Sequence, residues 1–297
     1  VKKLSVCLLA ALGLSTLCAA APSLTVSYLE GAAWQSSASS WRDLAIGDAV
    51  AADGRVRLDA GACLQLNGNG PDIVLTQKGT YVIADLLAVR KRVDAAGSGR
   101  SVITSIALLL AGASKDQSTV LGARGNDQSG SDDSGWVESS VQDTLQQAND
   151  LIRLARYEEA LSKLAQASDE AVGDEAAQVN YYRACAYSQK GDARNASKCI
   201  TAAVPASGAS WAADYLLLRA RILVDTFAYA QAIDCLASSR ETIGRDAQRA
   251  PLYFYLLGLA FRGAGDTAGS RESLQQVIAI SGGSDLGKSA TALLQEP

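Results

Sequence analysis

The chain has no histidine and no methionine, and only five prolines in 297 residues. Without histidine, Ser-His-Asp and Cys-His catalysis and His-ligated metal sites are excluded. General acid–base chemistry near neutrality loses its commonest side chain. Serine–lysine pairs and paired carboxylates remain open, and neither has support here. Ser197 and Lys198 are adjacent on a helical stretch and diverge; Asp132-Asp133 lies in a polar segment, and Glu158-Glu159 on an outer helix face. No two cysteines stand in Cys-x-x-Cys spacing, so zinc and thioredoxin-type redox sites are unsupported. The acidic trio Asp127, Asp133 and Glu138 puts Asp132 where a calcium loop needs glycine. The sequence therefore reads as non-catalytic, with no catalytic residue, cofactor or metal ligand assigned.

Positive charge is also scarce. Lys and Arg total 27 against 31 Asp and Glu, a formal charge of -4, which argues against a nucleic-acid partner. Hydrophobic residues make up 48%, enough for a packed core. Residues 1–21 have the form of a secretory leader: Lys2 and Lys3, an apolar stretch from Leu4 to Leu17, then Cys18-Ala19-Ala20-Ala21. Cleavage after Ala20 keeps Pro22 away from the cut. Retention of the leader, or lipidation at Cys18 despite Leu17 before it, are the other readings. The run Val102–Ala113 is too short to span a bilayer and suits a buried segment. Four cysteines follow the leader, Cys63, Cys185, Cys199 and Cys235, and read as small packing residues.

Three segments follow. Residues 22–125 alternate and turn often as far as about Arg92. Val56 and Leu58, then Leu64 and Leu66, keep the strand period, and Gly31, Asp53-Gly54, Gly61 and Lys78-Gly79 punctuate the runs. A small antiparallel β sandwich or barrel is expected. Residues 126–140 are rich in Gly, Ser and Asp and read as a flexible linker. From Val141 to the end, 141–297, the pattern is helical and repeats. Ala148, Ala184, Ala220 and Gly258 are each followed twelve residues later by Ala160, Ala196, Ala232 or Ser270, and four further on by Leu164, Ile200, Leu236 or Leu274. Three residues after each first small position stand Leu151, Tyr187, Leu223 and Phe261. Small residues at fixed offsets let paired helices approach closely, and the large ones fill the flanks. Gly173, Gly208, Gly244 and Gly282 separate the pairs, and residues 285–296 read as a capping helix.

This conjunction resembles the tetratricopeptide repeat family over about 141–284. Two departures stand out: glycine or Val172 replaces the closing proline, and Gln147, Arg183 and Arg219 stand where leucine is usual. The segments VSYLEGAAW and GRVRLDAGACLQLNG, and TVLGARGND at the end of this region, are similar to the FecR-like domain of exported bacterial proteins, here placed at 22–125. Together the resemblances imply an α+β protein in two domains, a small β domain followed by an all-α solenoid of about four repeats. They imply an exported, periplasmic scaffold or adaptor, with other envelope proteins or peptides, including membrane-bound ones, as partners. Its groove would be lined by the first helix of each pair. Helical spacing assigns to that groove Leu145, Asn149 and Arg153, then Tyr181, Cys185 and Gln189, then Leu217, Arg221 and Asp225, then Tyr255, Leu259 and Arg262. Asn149, Arg153, Tyr181, Cys185, Arg221, Tyr255 and Arg262 are the candidate partner-binding residues, Cys185 being the cysteine expected to be exposed. Two alternatives stand beside the adaptor. One is an envelope sensor acting through the β domain. The other is cell-wall glycan binding by Tyr28, Trp34 and Trp41, although aromatics in alternating strands are commonly core.

Overall fold

The computed structural model describes residues 23–37, 40–68, 72–95 and 140–295. The leader, the 102–113 apolar run, the 119–127 segment and the linker up to residue 139 lie outside them.

Among the described residues eight short strands build the N-terminal half: β1 Ser23–Glu30, β2 Ala33–Ser37, β3 Ser40–Asp43, β4 Ala49–Ala51, β5 Arg55–Leu58, β6 Cys63–Asn67, β7 Ile73–Leu75 and β8 Gly79–Val82. They form two antiparallel four-stranded sheets, ordered β4-β1-β6-β7 and β3-β2-β5-β8. Alternate residues point inward, so Leu24, Val26, Leu64 and Leu66 of one sheet and Ala33, Val56 and Leu58 of the other share a buried core. A bulge at Ser27 shifts the register, pairing Val26 with Leu66 but Tyr28 with Gln65. The extra residue turns Tyr28 onto the outer face and Leu29 inward.

Strand alternation ends at Val82, earlier than the sequence reading placed it. Ile83–Ala95 is a helix, α1. Ile83 and Leu86 are buried and Leu87 packs beside them, three and four residues apart. That is the helical period, and it anchors α1 on the sandwich.

The C-terminal half consists of helix pairs: α2 Val141–Arg153 with α3 Tyr157–Glu170, α4 Asp174–Lys190 with α5 Ala193–Ala202, α6 Ala212–Asp225 with α7 Tyr229–Ala237, and α8 Ala250–Gly263 with α9 Thr267–Ser281. A final helix, α10 Asp285–Gln295, follows. Each second helix packs on the next first helix, and successive first helices also touch. Ser140 starts α2 with a capping box: its Oγ accepts from Asp143 N at 3.1 Å, and Asp143 accepts from Ser140 N at 3.3 Å.

Every position of the small-residue seam is buried. Ala148, Ala184, Ala220, Ala160, Ala196 and Ala232 have no exposed surface, and Gly258 and Ser270 are buried with them. A Cβ on Gly258 would come within 2.9 Å of the Leu274 side chain. A further buried position falls seven residues after each second small one: Ala167, Ala203, Ser239 and Val277.

The turns within the pairs repeat as closely as the seam. Ala155, Gly191, Phe227 and Gly265 all have left-handed backbone, with φ of 58, 86, 60 and 83°. In each, the next N–H reaches back to the same carbonyl: Arg156 to Leu151 and Asp192 to Tyr187 at 2.9 Å, Ala228 to Leu223 at 2.8 Å, Asp266 to Phe261 at 2.9 Å. These are Schellman closures, for which glycine is the natural residue. In two copies, an aspartate after the glycine caps the second helix, Asp192 to Asn195 N and Asp266 to Gly269 N.

Phe227 holds a bulky side chain in that conformation for a tertiary reason. It is buried within the apolar cluster of the β sandwich. Tyr229 packs against both the sandwich cluster and the helical one. A Cβ on Gly263 would overlap the Tyr229 ring, so the glycine leaves the slot in which that ring lies. Nearby, Lys198 of α5 reaches Glu30 at 3.0 Å and the Tyr28 hydroxyl at 3.3 Å. Arg194 sits 4.1 Å above the Tyr28 ring. Tyr28, re-aimed by the bulge, thus meets α5, and the two halves are packed directly on one another.

The turns yield a stability prediction. Ala155 pays the left-handed penalty with no interdomain contact, so Ala155→Gly should stabilise the protein by about 0.5–1 kcal/mol in urea unfolding. Phe227→Ala should destabilise it by about 3 kcal/mol. Phe227→Gly should cost about 1 kcal/mol less than the alanine, the reverse of the order expected in a helix.

Candidate functional site

The face shared by the first helices was the expected groove, and the structure closes much of it. Asn149, Tyr181, Cys185 and Tyr255 are buried, as are Leu145, Leu217 and Leu259. They therefore do not line an open docking surface. The apolar and aromatic residues of this stripe join the seam in continuous cores instead of facing solvent. Tyr181 packs edge-on to Tyr182 with ring centroids 5.3 Å apart, and lies 5.2 Å from Trp211. Burial pushes the Tyr182 hydroxyl up to about 12 and raises the Cys185 thiol. Cys185 is therefore a packing residue, not an exposed thiol. Cys63, Cys185, Cys199 and Cys235 are all unbridged.

The three arginines divide. Arg221 forms an ion pair with Asp225 on its own helix at 2.5 Å. Arg262 donates from Nη1 to the Leu293 carbonyl at 2.6 Å, tying α8 to the last turn of α10. Arg153 is exposed, 3.6 Å from Asp150 at the end of α2. None of the seven candidates converges with another on an open site.

A partly buried ionic contact, with Asp214 as its buried member, holds the first helices of the last two pairs. Arg249, just before α8, donates from Nε and Nη2 to the two carboxylate oxygens of Asp214 on α6, at 2.7 and 3.1 Å. Its Nη1 reaches Asp246 at 2.7 Å. The Asp214 bonds are the main reason the Arg249 guanidinium is held above its ordinary range. Burial alone would raise the Asp246 carboxyl. The bonds from Arg249 and from the Gln248 and Arg249 N–H groups outweigh that and lower it.

Two open surfaces stand out among the described residues. The first is a cleft of about 530 Å³ between α7, α8 and α9. The partly exposed Ile233, Phe254 and Phe261 line it with apolar surface over buried Tyr253 and Leu257, and Arg240, Asp266 and Glu272 contribute charge. The bare backbone of Gly269 helps keep it open, since a Cβ there would come within 3.0 Å of the Phe261 ring. Sequence reasoning missed the cleft. Its signal was Phe254, Leu257 and Phe261 at helical spacing, a second apolar stripe on α8 beside the seam. The second surface is the outer face of the β3-β2-β5-β8 sheet, where Arg57 lies 4.5 Å from the Trp34 ring centroid and 5.0 Å from that of Trp41. These aromatics are outside the core. Tyr28, grouped with them by sequence, belongs to the other sheet and to the domain contact.

Among the described residues no group of three or more acidic, Cys or His side chains could hold a metal ion. No described helix is long and apolar enough to cross a membrane. No protein-family model matches the chain, and no curated protein matches it.

The buried pair gives a second prediction. Arg249→Met leaves the Asp214 carboxylate buried without its partner and should destabilise the protein by about 3–5 kcal/mol. The double variant Asp214→Asn/Arg249→Met should recover a large part of that loss. Thermal unfolding of the two variants beside the parent chain measures both effects.

Proposed function

We propose that the protein is a non-catalytic adaptor of the bacterial cell envelope, exported through its N-terminal leader. Its helical half is read as a divergent tetratricopeptide-like array and its β half as FecR-like. The docking surface in this reading is the α7–α8–α9 cleft, in place of the first-helix stripe. The observation that carries it is the cleft's composition. Phe254 and Phe261, with Ile233 opposite, present partly exposed aromatic and aliphatic surface at the wall of an open depression, ringed by charge. Buried aromatic anchors with a polar rim are the usual anatomy of a protein-binding site.

The way the array already uses its second helices supports this reading. Arg194 and Lys198 of α5, with Gln231 of α7, contact the β domain of the same chain. One pair further on, the corresponding surface is the cleft, and no β-domain residue lines it. Lys198 has Glu272 of α9 as its counterpart there, two residues after Ser270 as Lys198 is two after Ala196, so the two surfaces differ in charge and select different partners. The cleft suits an apolar segment of an envelope protein, inserted from its side chains.

The test is site-specific photo-crosslinking in the native host. A photoreactive residue replacing the exposed, cleft-lining Gln276 should give a discrete protein adduct, whereas the same residue at exposed Thr291 should not. Adding Ala268→Arg, an exposed change that fills the cleft mouth, should remove the adduct while the melting temperature stays unchanged. An adduct indifferent to Ala268→Arg, or none at position 276, would remove the cleft as the docking site.

A further inference from the structure

We propose that the outer face of the β3-β2-β5-β8 sheet binds a carboxylate-bearing glycan, with Arg57 pairing the carboxylate and Trp41 stacking on a sugar ring. The inference is independent of the adaptor reading and rests on a different domain. Cross-strand register assembles the face. Trp34 stands opposite Asp43 on β3 and opposite Arg57 on β5, and Arg57 stands opposite Thr80 on β8. Trp41, on the edge strand, pairs with Ser36 and comes within reach of Arg57 diagonally.

Arg57 lies against two indoles, 4.5 and 5.0 Å from their centroids. A guanidinium carries its five donors in its own plane. Contact with the two rings supplies no acceptor oxygen to these donors, and the Arg57 side chain makes no hydrogen bond or ion pair among the described residues. A guanidinium held against two rings, with its donors unused, matches a carboxylate in bidentate fashion. Arg55, two residues along β5 and exposed, adds a second positive charge on the same face; Asp43 is the carboxylate in the row, and Asp59, which feels the Arg57 charge, is paired with Lys78. The face is net cationic in a chain of net charge -4.

Trp41 supplies the other half of the recognition. It is 38% exposed on an edge strand whose four residues all face solvent. Its cross-strand neighbour Ser36 is short and exposed, so the ring stands above it and its hydroxyl can meet one of a sugar. A pyranose presents a C–H face to the negative π surface of an indole and hydroxyls around its rim. The exposed strand β3 and the short Ser36 beside it leave the Trp41 ring standing as a platform, which favours a ring-shaped ligand.

The experiment titrates the intact protein with oligogalacturonate, a pyranose chain with one carboxylate per ring, and with its fully methyl-esterified form, by calorimetry at low ionic strength. The carboxylate form should bind, and esterification should weaken binding by about tenfold or more, the effect of removing a charge-assisted pair. Arg57→Gln and Trp41→Ala should each weaken it by about tenfold. Arg57→Lys should fall between parent and Arg57→Gln, and Asp43→Asn should strengthen binding. Far-UV circular dichroism checks that the variants keep their sheets, and the ester comparison needs no variant. Equal binding of acid and ester, no binding of either, or affinity unchanged in Arg57→Gln and Trp41→Ala would overturn the proposal.

Discussion

Close approach between helices at the small-residue seam is the constraint on which the helical half depends. Two helices in contact are ordinarily held about 8–10 Å apart by their side chains. Alanine, glycine or serine at both crossing positions of a pair allows the short end of that range, and the leucine or isoleucine four residues on is then enclosed on all sides. A side chain larger by a few methylenes at Ala160 or Ala196 would meet backbone, because close-packed interiors leave no room for it. Since each second helix also supports the next first helix, the seam transmits its geometry from pair to pair.

The turn residues show how one copy of a repeat can be diverted without breaking the pattern. The left-handed closure occurs in all four pairs, yet glycine occupies it in only two. In the third, a phenylalanine accepts an unfavourable backbone conformation because its ring enters the core of another domain. Hydrophobic burial of an aromatic side chain is worth about 1.5–3 kcal/mol, which exceeds the roughly 1–2 kcal/mol of left-handed strain. The chain has three phenylalanines. One joins the two domains, and the other two line the cleft of the last pair.

The β half makes a comparable exchange. The bulge at Ser27 sacrifices regular pairing and thereby places Tyr28 against Arg194 and Lys198. The Tyr28 hydroxyl and Lys198 both hold Glu30 below its ordinary carboxylate range, since each stabilises the charged form. Domain contact and exposed Trp–Arg face thus occupy different sheets of one sandwich, and an event on one face does not require the other to be disturbed.

Much of the fold was legible in the chain. Strand alternation around Val56 and Leu64, the offsets of Ala148 and its equivalents, and the glycines between pairs are local periodicities, and local periodicity is a property of sequence. The helix from Ile83 was missed because Val82-Ile83 continues an apolar run that short windows cannot assign to strand or helix. The groove residues were harder. Spacing correctly put Tyr181 with Cys185, and Tyr255 with Leu259, on one helical stripe, but whether a stripe meets water depends on what packs over it. Sequence alone thus determined which residues share a face and where the chain turns. Only the tertiary structure decided that Tyr255 is buried while Trp41 is exposed, and that Phe227 belongs to the core of the other domain, because burial arises from contacts between segments far apart in the chain.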